Sequence, residues 1–305
     1  MTNKNAILTS VSSEYYKYFF IFNRSLQRYF PNYPELIVLW QKLTPEQLAH
    51  LNNIPRVQSW DVDAIEFEAG PPMVGRESDD PKIYYMRFLI FSNLFNDYDN
   101  ILYLDTDITI LRPLDELLDK KEFTIIDDPY KGKHPIIRTN INEEKLDRLT
   151  REDKLPSLPK FGANAGVFLA PRSIRSEENF QELMKIKERY RDYLNLGDQS
   201  VMNLWILKYS LCKRADFRYN FQPLLLDYRR AGDAFRHIHI FHFNGMVRTP
   251  HLALLMNMSA LCWRIPWAGR WIYYVFHRFF FTQNTVRFPR LNFLLNWWNR
   301  RFLTL

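Results

Sequence analysis

Two carboxylates stand two residues apart, Asp105 and Asp107 with Thr106 between them, directly after the apolar run Ile101-Leu102-Tyr103-Leu104. A buried strand that ends in Asp-x-Asp brings both side chains to one edge of a sheet. In open α/β sheets, ligands gather at the carboxyl ends of the strands. Hard oxygen donors at that spacing can turn toward one divalent cation, and such a cation bridges diphosphates. One chemistry that uses this arrangement holds the diphosphate of a nucleotide sugar on the metal.

A second chemistry is open to the same residues. In phosphatases of haloacid-dehalogenase type, a strand is followed by Asp-x-Asp-x-Thr, which Asp105, Asp107 and Thr109 satisfy, with Asp105 as nucleophile and Asp107 as acid/base group. That chemistry also needs a later loop with paired acids and a lysine. Gly197-Asp198 opens such a loop, but Met202 stands where the second acid belongs. A third alternative is a catalytically inactive module that binds a sugar nucleotide or a glycan.

Elements that would position the pair follow from hydrophobic spacing. Strands are expected at Ala6–Val11, Leu36–Trp40, Ile101–Leu104, Phe123–Ile126, Val167–Ala170 and Ile238–Phe243. Helices are expected at Glu14–Tyr29, capped by Ser12 or Ser13, and at Ile83–Phe95, Pro113–Leu118, Asn179–Tyr193 and Gln199–Leu207, with a further short one near Glu143–Leu149. Thr44-Pro45-Glu46-Gln47 reads as N-cap, N1 proline and capping-box partner of another helix. Strands separated by helices imply an α/β fold, a mostly parallel sheet with helices on both faces.

The net charge of +7 hides two unlike parts. All 34 acidic residues lie at or before Asp233, against 32 of the 41 basic ones; the last 72 residues carry nine arginines and no Asp, Glu or Lys. A near-neutral body with a cationic end argues against a nucleic-acid partner for the whole chain. Residues 263–305 hold fourteen aromatics and seven arginines. No stretch reaches the roughly 18 apolar residues of a membrane span, so this end is expected to lie on an anionic membrane surface. Two cysteines and no signal-like N-terminus suggest a cytoplasmic, peripherally membrane-associated protein that is not secreted. The expected division is a catalytic domain over 1–251 and a helical, basic, aromatic extension over 252–305.

Further motifs lie in order around the aspartate pair. They are Leu8-Thr9-Ser10 with Glu14-Tyr15, Tyr85-Met86-Arg87, Asp127 at a strand end, Ala163-Asn164-Ala165-Gly166-Val167, Gly197-Asp198-Gln199 with Asn203, and His242-Phe243-Asn244-Gly245-Met246-Val247-Arg248. With them the chain resembles the retaining glycosyltransferases of family 8, over roughly residues 6 to 251. The resemblance implies a nucleotide-diphospho-sugar transferase fold of GT-A type, a UDP-sugar donor and a glycan, glycolipid or protein acceptor. It implies Mn²⁺, or another divalent cation such as Mg²⁺, held by Asp105, Asp107 and His242. Donor contacts would come from Thr9, Tyr15 (stacked on the base), Arg87, Thr106, Asp127 (or equally Asp128), Asn164, Ala165, Gly245 and Arg248. Asp198 and Gln199 would lie beside the anomeric carbon. Two departures are visible: Ser12-Ser13 stand where the family usually has Asn or Asp, and Arg248 replaces a lysine. Arginine still binds phosphate, bidentately.

Overall fold

The computed structural model describes residues 4–71, 80–127, 162–209, 212–222, 237–243 and Met256. Apolar runs such as Leu36–Trp40 and Ile101–Leu104 lack polar alternation because both faces of their strands are covered. Seven strands form the main sheet: β1 (Asn5–Ser12), β2 (Glu35–Gln41), β3 (Val57–Asp61), β4 (Asn100–Leu104), β6 (Thr124–Asp127), β7 (Ala163–Pro171) and β8 (Lys213–Ala215). Their order is β3-β2-β1-β4-β7-β6-β8. β3, β2, β1 and β4 run parallel, β7 runs against both neighbours, and β6 and β8 are parallel to each other.

Alternate side chains feed two apolar layers. Leu8, Ile37, Ile101, Tyr103 and Phe168 pack on one face, with Leu183 and Ile186 of a helix at Glu177–Arg189 and Val201 and Trp205 of another at Asp198–Tyr209. Ile7, Val38, Leu102, Leu104 and Val167 pack on the other, with Phe19, Phe22 and Leu26 of α1 (Tyr16–Tyr29). The other α-helices among the described residues are α2 (Pro45–Asn52), α3 (Lys82–Tyr85) and α4 (Asp115–Leu118), which makes the two long ones α5 (Glu177–Arg189) and α6 (Asp198–Tyr209). The expected α/β fold with a mostly parallel sheet is present.

Two features of the topology place the site. Because β7 is antiparallel to β4, with Leu104 opposite Val167, its first residues lie beside the carboxyl end of β4. A two-stranded sheet of β5 (Ile108–Ile110) and β9 (Ile240–His242) then pairs Ile108 with His242, setting that histidine against the residue after Asp107.

Several local expectations are corrected. Glu14–Tyr29 is not one helix: Ser13–Tyr15 form a 3₁₀ turn, α1 begins at Tyr16 and no serine caps it. The Ser13 hydroxyl instead donates to Gln47 Oε1 at 2.9 Å. Ile83–Phe95 breaks into α3 and two 3₁₀ segments, Met86–Phe91 and Asn93–Phe95. All six side chains from Met86 to Phe91 are buried, more than one stripe of an amphipathic α-helix can cover, and Ser92 caps the next turn. The strand expected at Val167–Ala170 starts four residues earlier, at Ala163. β3, β5 and β8 were not expected as strands. The capping box at Thr44 and Gln47 is formed as read. The helix near Glu143–Leu149 and residues 257–305 lie outside the described residues.

Candidate active site

Asp105 follows β4 directly, and its amide donates to the Gly166 carbonyl of β7 at 2.9 Å. Its two carboxylate oxygens face different partners. Oδ1 accepts the Tyr103 hydroxyl at 2.9 Å and lies 3.1 Å from Arg87 Nη2. Oδ2 lies 3.8 Å from His242 Nε2, and Asp107 Oδ1 lies 3.2 Å from that same nitrogen. The Phe243 amide donates to the Asp107 carbonyl, so the pairing of β5 and β9 continues into the site.

Asp105, Asp107 and His242 each offer one donor atom, all within 4.8 Å of one another. Three observations fit this set to a divalent cation. Two carboxylates and an imidazole are a hard-to-borderline donor set suited to Mn²⁺. His242 Nε2 is fully buried and aimed at Asp105 Oδ2 and Asp107 Oδ1, so a buried ring nitrogen and two carboxylates converge on one point. A Cβ on Gly166 would stand 2.4 Å from His242 Cε1 and 2.5 Å from Asp105 Oδ2, so glycine leaves these two side chains room.

Arg87, held in the 3₁₀ segment before β4, is the buried cation of the site. It donates from Nη1 to the Ala165 carbonyl at 2.7 Å and from Nε to the Tyr84 carbonyl at 3.1 Å, and sits 4.8 Å over the Tyr103 ring. Nε is also 2.8 Å from Oδ2 of Asp198, whose side chain is wholly buried. Burial alone would lower the pKa of Arg87, but Asp105 and Asp198 outweigh it and raise it. Burial pushes the Asp198 carboxyl up to about 6, with Arg87 pulling it down and Asp105 adding to the rise. For His242, burial lowers the pKa, while Asp107 and Asp105 more than offset that, so the ring's pKa is raised. Burial holds Tyr103 protonated, as a donor to Asp105.

At the start of β7, amides order the neighbouring side chains. Gln199 Oε1 accepts from Asn164 Nδ2 at 3.2 Å and from the Ala165 amide at 3.3 Å. Asn203 brackets the Ala163 backbone, accepting its N–H at 2.7 Å and donating to its carbonyl at 2.9 Å. Asp198 is not the N-cap that its place after Gly197 permits: it is the first residue of α6, and its carboxylate faces Arg87.

The structure therefore brings Arg87, Asp105, Asp107, Asn164, Ala165, Asp198, Gln199 and His242 to one place, with Thr106 buried between the aspartates. Thr9 and Tyr15 lie on β1 and the turn that follows it. Thr9 is fully buried and its hydroxyl has no partner; Tyr15 is half-buried and packs edge-on against Tyr18. Asp127 ends β6 opposite Ala163. Gly245 and Arg248 lie outside the described residues. Sequence reasoning missed Ser10, Tyr103 and Asn220. Ser10 Oγ is 2.7 Å from the Tyr103 hydroxyl, which ties the end of β1 to Asp105. Tyr103 and Ser10 read in sequence as ordinary strand residues, and nothing around Asn220 marks it.

The phosphatase alternative fares poorly. Met202, where its second acid belongs, is fully buried in the apolar layer, and Asp105 and Asp107 face a histidine.

Known proteins place the chain more closely. No curated protein matches it by sequence. Among solved structures, the galactosyltransferase LgtC, in complex with donor and acceptor sugar analogues, aligns with a TM-score of 0.56 at 16% identity, covering 84% of this chain and 95% of LgtC. The bifunctional glycosyltransferase WbbM aligns at 0.59 and 18% identity, over 86% of this chain and 52% of its own. Mouse xyloside xylosyltransferase 1 aligns at 0.51 and 15%, over 81% and 100%. These likenesses share the fold. A family model, glycosyl transferase family 8, matches residues 6–249. The chain belongs to glycosyl transferase family 8 and is a glycosyltransferase.

Proposed function

We propose that this glycosyltransferase moves a hexose-type sugar from a UDP-sugar to a hydroxyl of a glycan or lipid-linked acceptor, with retention at the anomeric carbon and dependence on Mn²⁺. The observation that carries the reading is the buried Nε2 of His242 facing Asp105 and Asp107 at the carboxyl edge of the sheet. Those three residues would hold the cation, which when bound neutralises charge on the diphosphate leaving group. Gly166 keeps the cradle open. Arg87 fixes Asp105 and Asp198 from behind, so neither carboxylate turns away when a donor enters. Asp198 and Gln199, at the first turn of α6, would lie against the transferred sugar. Two donors already hold Gln199 Oε1, which supports an orienting role for that atom.

Within this reading, Thr9, Tyr15, Thr106, Asp127, Asn164, Ala165, Gly245 and Arg248 remain the proposed donor contacts. The decisive measurement is UDP release from a panel of UDP-sugars with Mn²⁺, with and without a chelator. One sugar should stand out, and release should vanish with the chelator. Hydrolysis of phosphomonoesters without any nucleotide sugar would instead favour the phosphatase; UDP binding without release would favour an inactive module.

We further propose that residues 252–305 attach the body to an anionic membrane. No helix among the described residues is long and apolar enough to cross one, and the proposal rests on the run of arginines and aromatics. Flotation with anionic vesicles should recover the full chain and lose a chain ending at residue 251; equal recovery of the two would refute it.

A further inference from the structure

Asn220 has no place in the motifs above, yet it is fully buried and touches two of their residues. It follows a 3₁₀ turn at Phe217–Tyr219, and the backbone on either side is stitched to β9: His239 N–H donates to the Arg218 carbonyl, Phe221 N–H to Ile240, and His242 N–H to Phe221. The Asn220 amide lies between His242 Nδ1, 2.7 Å from its Oδ1, and Asn164 Oδ1, 3.0 Å from its Nδ2.

Which end of each amide is oxygen follows from backbone donors, whose roles are fixed. The Ala165 N–H points at one atom of the Gln199 amide at 3.3 Å, so that atom is the oxygen. The Gly166 N–H points at one atom of Asn164 at 3.0 Å, so that atom is Oδ1, and Asn164 turns its NH₂ to Gln199. Asn164 Oδ1 can only accept, so Asn220 must present NH₂ to it. The other end of Asn220 is then an oxygen facing His242 Nδ1, and Nδ1 must carry the hydrogen. A neutral imidazole with hydrogen on Nδ1 has its lone pair on Nε2, the atom that faces both aspartates. Had Nε2 carried the hydrogen, it would face Asp107 Oδ1 at 3.2 Å as a donor and be closed to a cation.

We infer that Asn220 is a positioning residue that fixes the tautomer of His242, through an amide relay anchored on the Ala165 and Gly166 N–H groups of β7, and so keeps Nε2 open for a divalent cation. The inference rests on the metal reading proposed above. Ligating histidines generally depend on a partner at the second ring nitrogen, and loss of that partner costs about 10–100-fold in metal affinity. Asn220 supplies that partner as a neutral amide, which adds no charge to a site already holding Asp105, Asp107 and Asp198.

The test uses the full chain with ¹⁵N-labelled histidine, free of nucleotide, at alkaline pH where the ring is neutral. The His242 signals are assigned by their loss in His242→Gln. The wild type should show hydrogen on Nδ1. In Asn220→Ala the hydrogen should move to Nε2, and Mn²⁺ affinity, read by electron paramagnetic resonance titration, should fall by about 10–100-fold. Asn220→Asp keeps an oxygen opposite Nδ1 and should retain the tautomer, while its second oxygen loses the bond to Asn164 Oδ1. A wild-type ring with hydrogen on Nε2 overturns the inference, whatever the variants do. So does an Asn220→Ala chain with unchanged tautomer and affinity, or an Asn220→Asp chain whose hydrogen moves to Nε2 as in Asn220→Ala, since a merely structural role would not separate the two. If the wild type binds no Mn²⁺ and Asp107→Asn changes nothing, the metal reading falls, while the tautomer comparison still decides the relay.

Discussion

Asp107→Asn is expected to abolish metal-dependent UDP release while leaving the metal-free fold intact, and Asp105→Asn to lose both activity and stability. The two aspartates share a cation site but not a set of neighbours. Asp107 turns Oδ1 toward His242, 3.2 Å away, and its backbone carbonyl, which an Asn keeps, accepts from Phe243. In the absence of metal its charge stands close to that of Asp105, within the 4.8 Å spread of the three donors. Removing it relieves like-charge repulsion. Asp105 also accepts from Tyr103 and balances Arg87. Its loss leaves a buried guanidinium with Asp198 as its remaining ion-pair partner among the described residues. Removing electrostatic stabilisation of a leaving group costs about 10²–10³-fold in rate, so both variants should fall at least that far. The checks are UDP release, Mn²⁺ affinity and melting in chelator. An Asp107→Asn enzyme of wild-type activity would remove the metal assignment.

That difference between neighbours in sequence shows what a sequence can and cannot reveal. Asp105 and Asp107 were legible because their chemistry depends on local spacing at the end of an apolar run. Arg87, Asn164, Asp198, Gln199 and His242 were legible only as members of an ordered set of motifs, since each alone has an ordinary structural explanation. The contacts that run from Ser10 through Tyr103 to Asp105, and Asn220 altogether, were not legible. Their roles arise from contacts made across β1, β4, β7 and β9, and no periodicity in the chain encodes which side chain meets which across a sheet. The fold divides the same way. Buried central strands announce themselves by continuous hydrophobicity, whereas β8, with two exposed residues of three, carries no such signal. The direction of β7 is likewise a tertiary fact. The connection from β6 to β7 runs through residues 128–161, and the composition of that stretch does not say which way the next strand runs. Met86–Phe91 shows tertiary packing overriding helical spacing, and that distortion is what carries Arg87 into the site.

Arg87, paired with Asp105 and with the wholly buried Asp198, leads to a pair of variants with opposite signs. Arg87→Met should destabilise the chain by about 3–5 kcal/mol, because breaking a buried ion pair leaves its partners uncompensated. It also strips donors from the Ala165 and Tyr84 carbonyls. Asp198→Asn should do the reverse above neutral pH. The Asp198 carboxyl titrates near 6 in the folded chain against an ordinary value of 3.8. Between those values the folded state holds a proton that the unfolded chain has released, so stability falls as pH rises, by on the order of 3 kcal/mol from this group. An asparagine cannot titrate and escapes that loss. Asp198→Asn should therefore match the wild type near pH 4 and exceed it at pH 7, while transferring no sugar. In Arg87→Met the Asp198 carboxyl loses the cation that holds its pKa down, so that pKa rises further and the deficit should widen as pH increases. Urea unfolding of the three metal-free proteins across pH measures all of this, since titrations elsewhere cancel in each difference. A pH-independent gap between Asp198→Asn and the wild type, or an Arg87→Met deficit below about 1 kcal/mol, would contradict the account. The opposed signs have one origin. A carboxylate kept buried beside a shared guanidinium costs stability, whereas removing the guanidinium leaves that same carboxylate uncompensated.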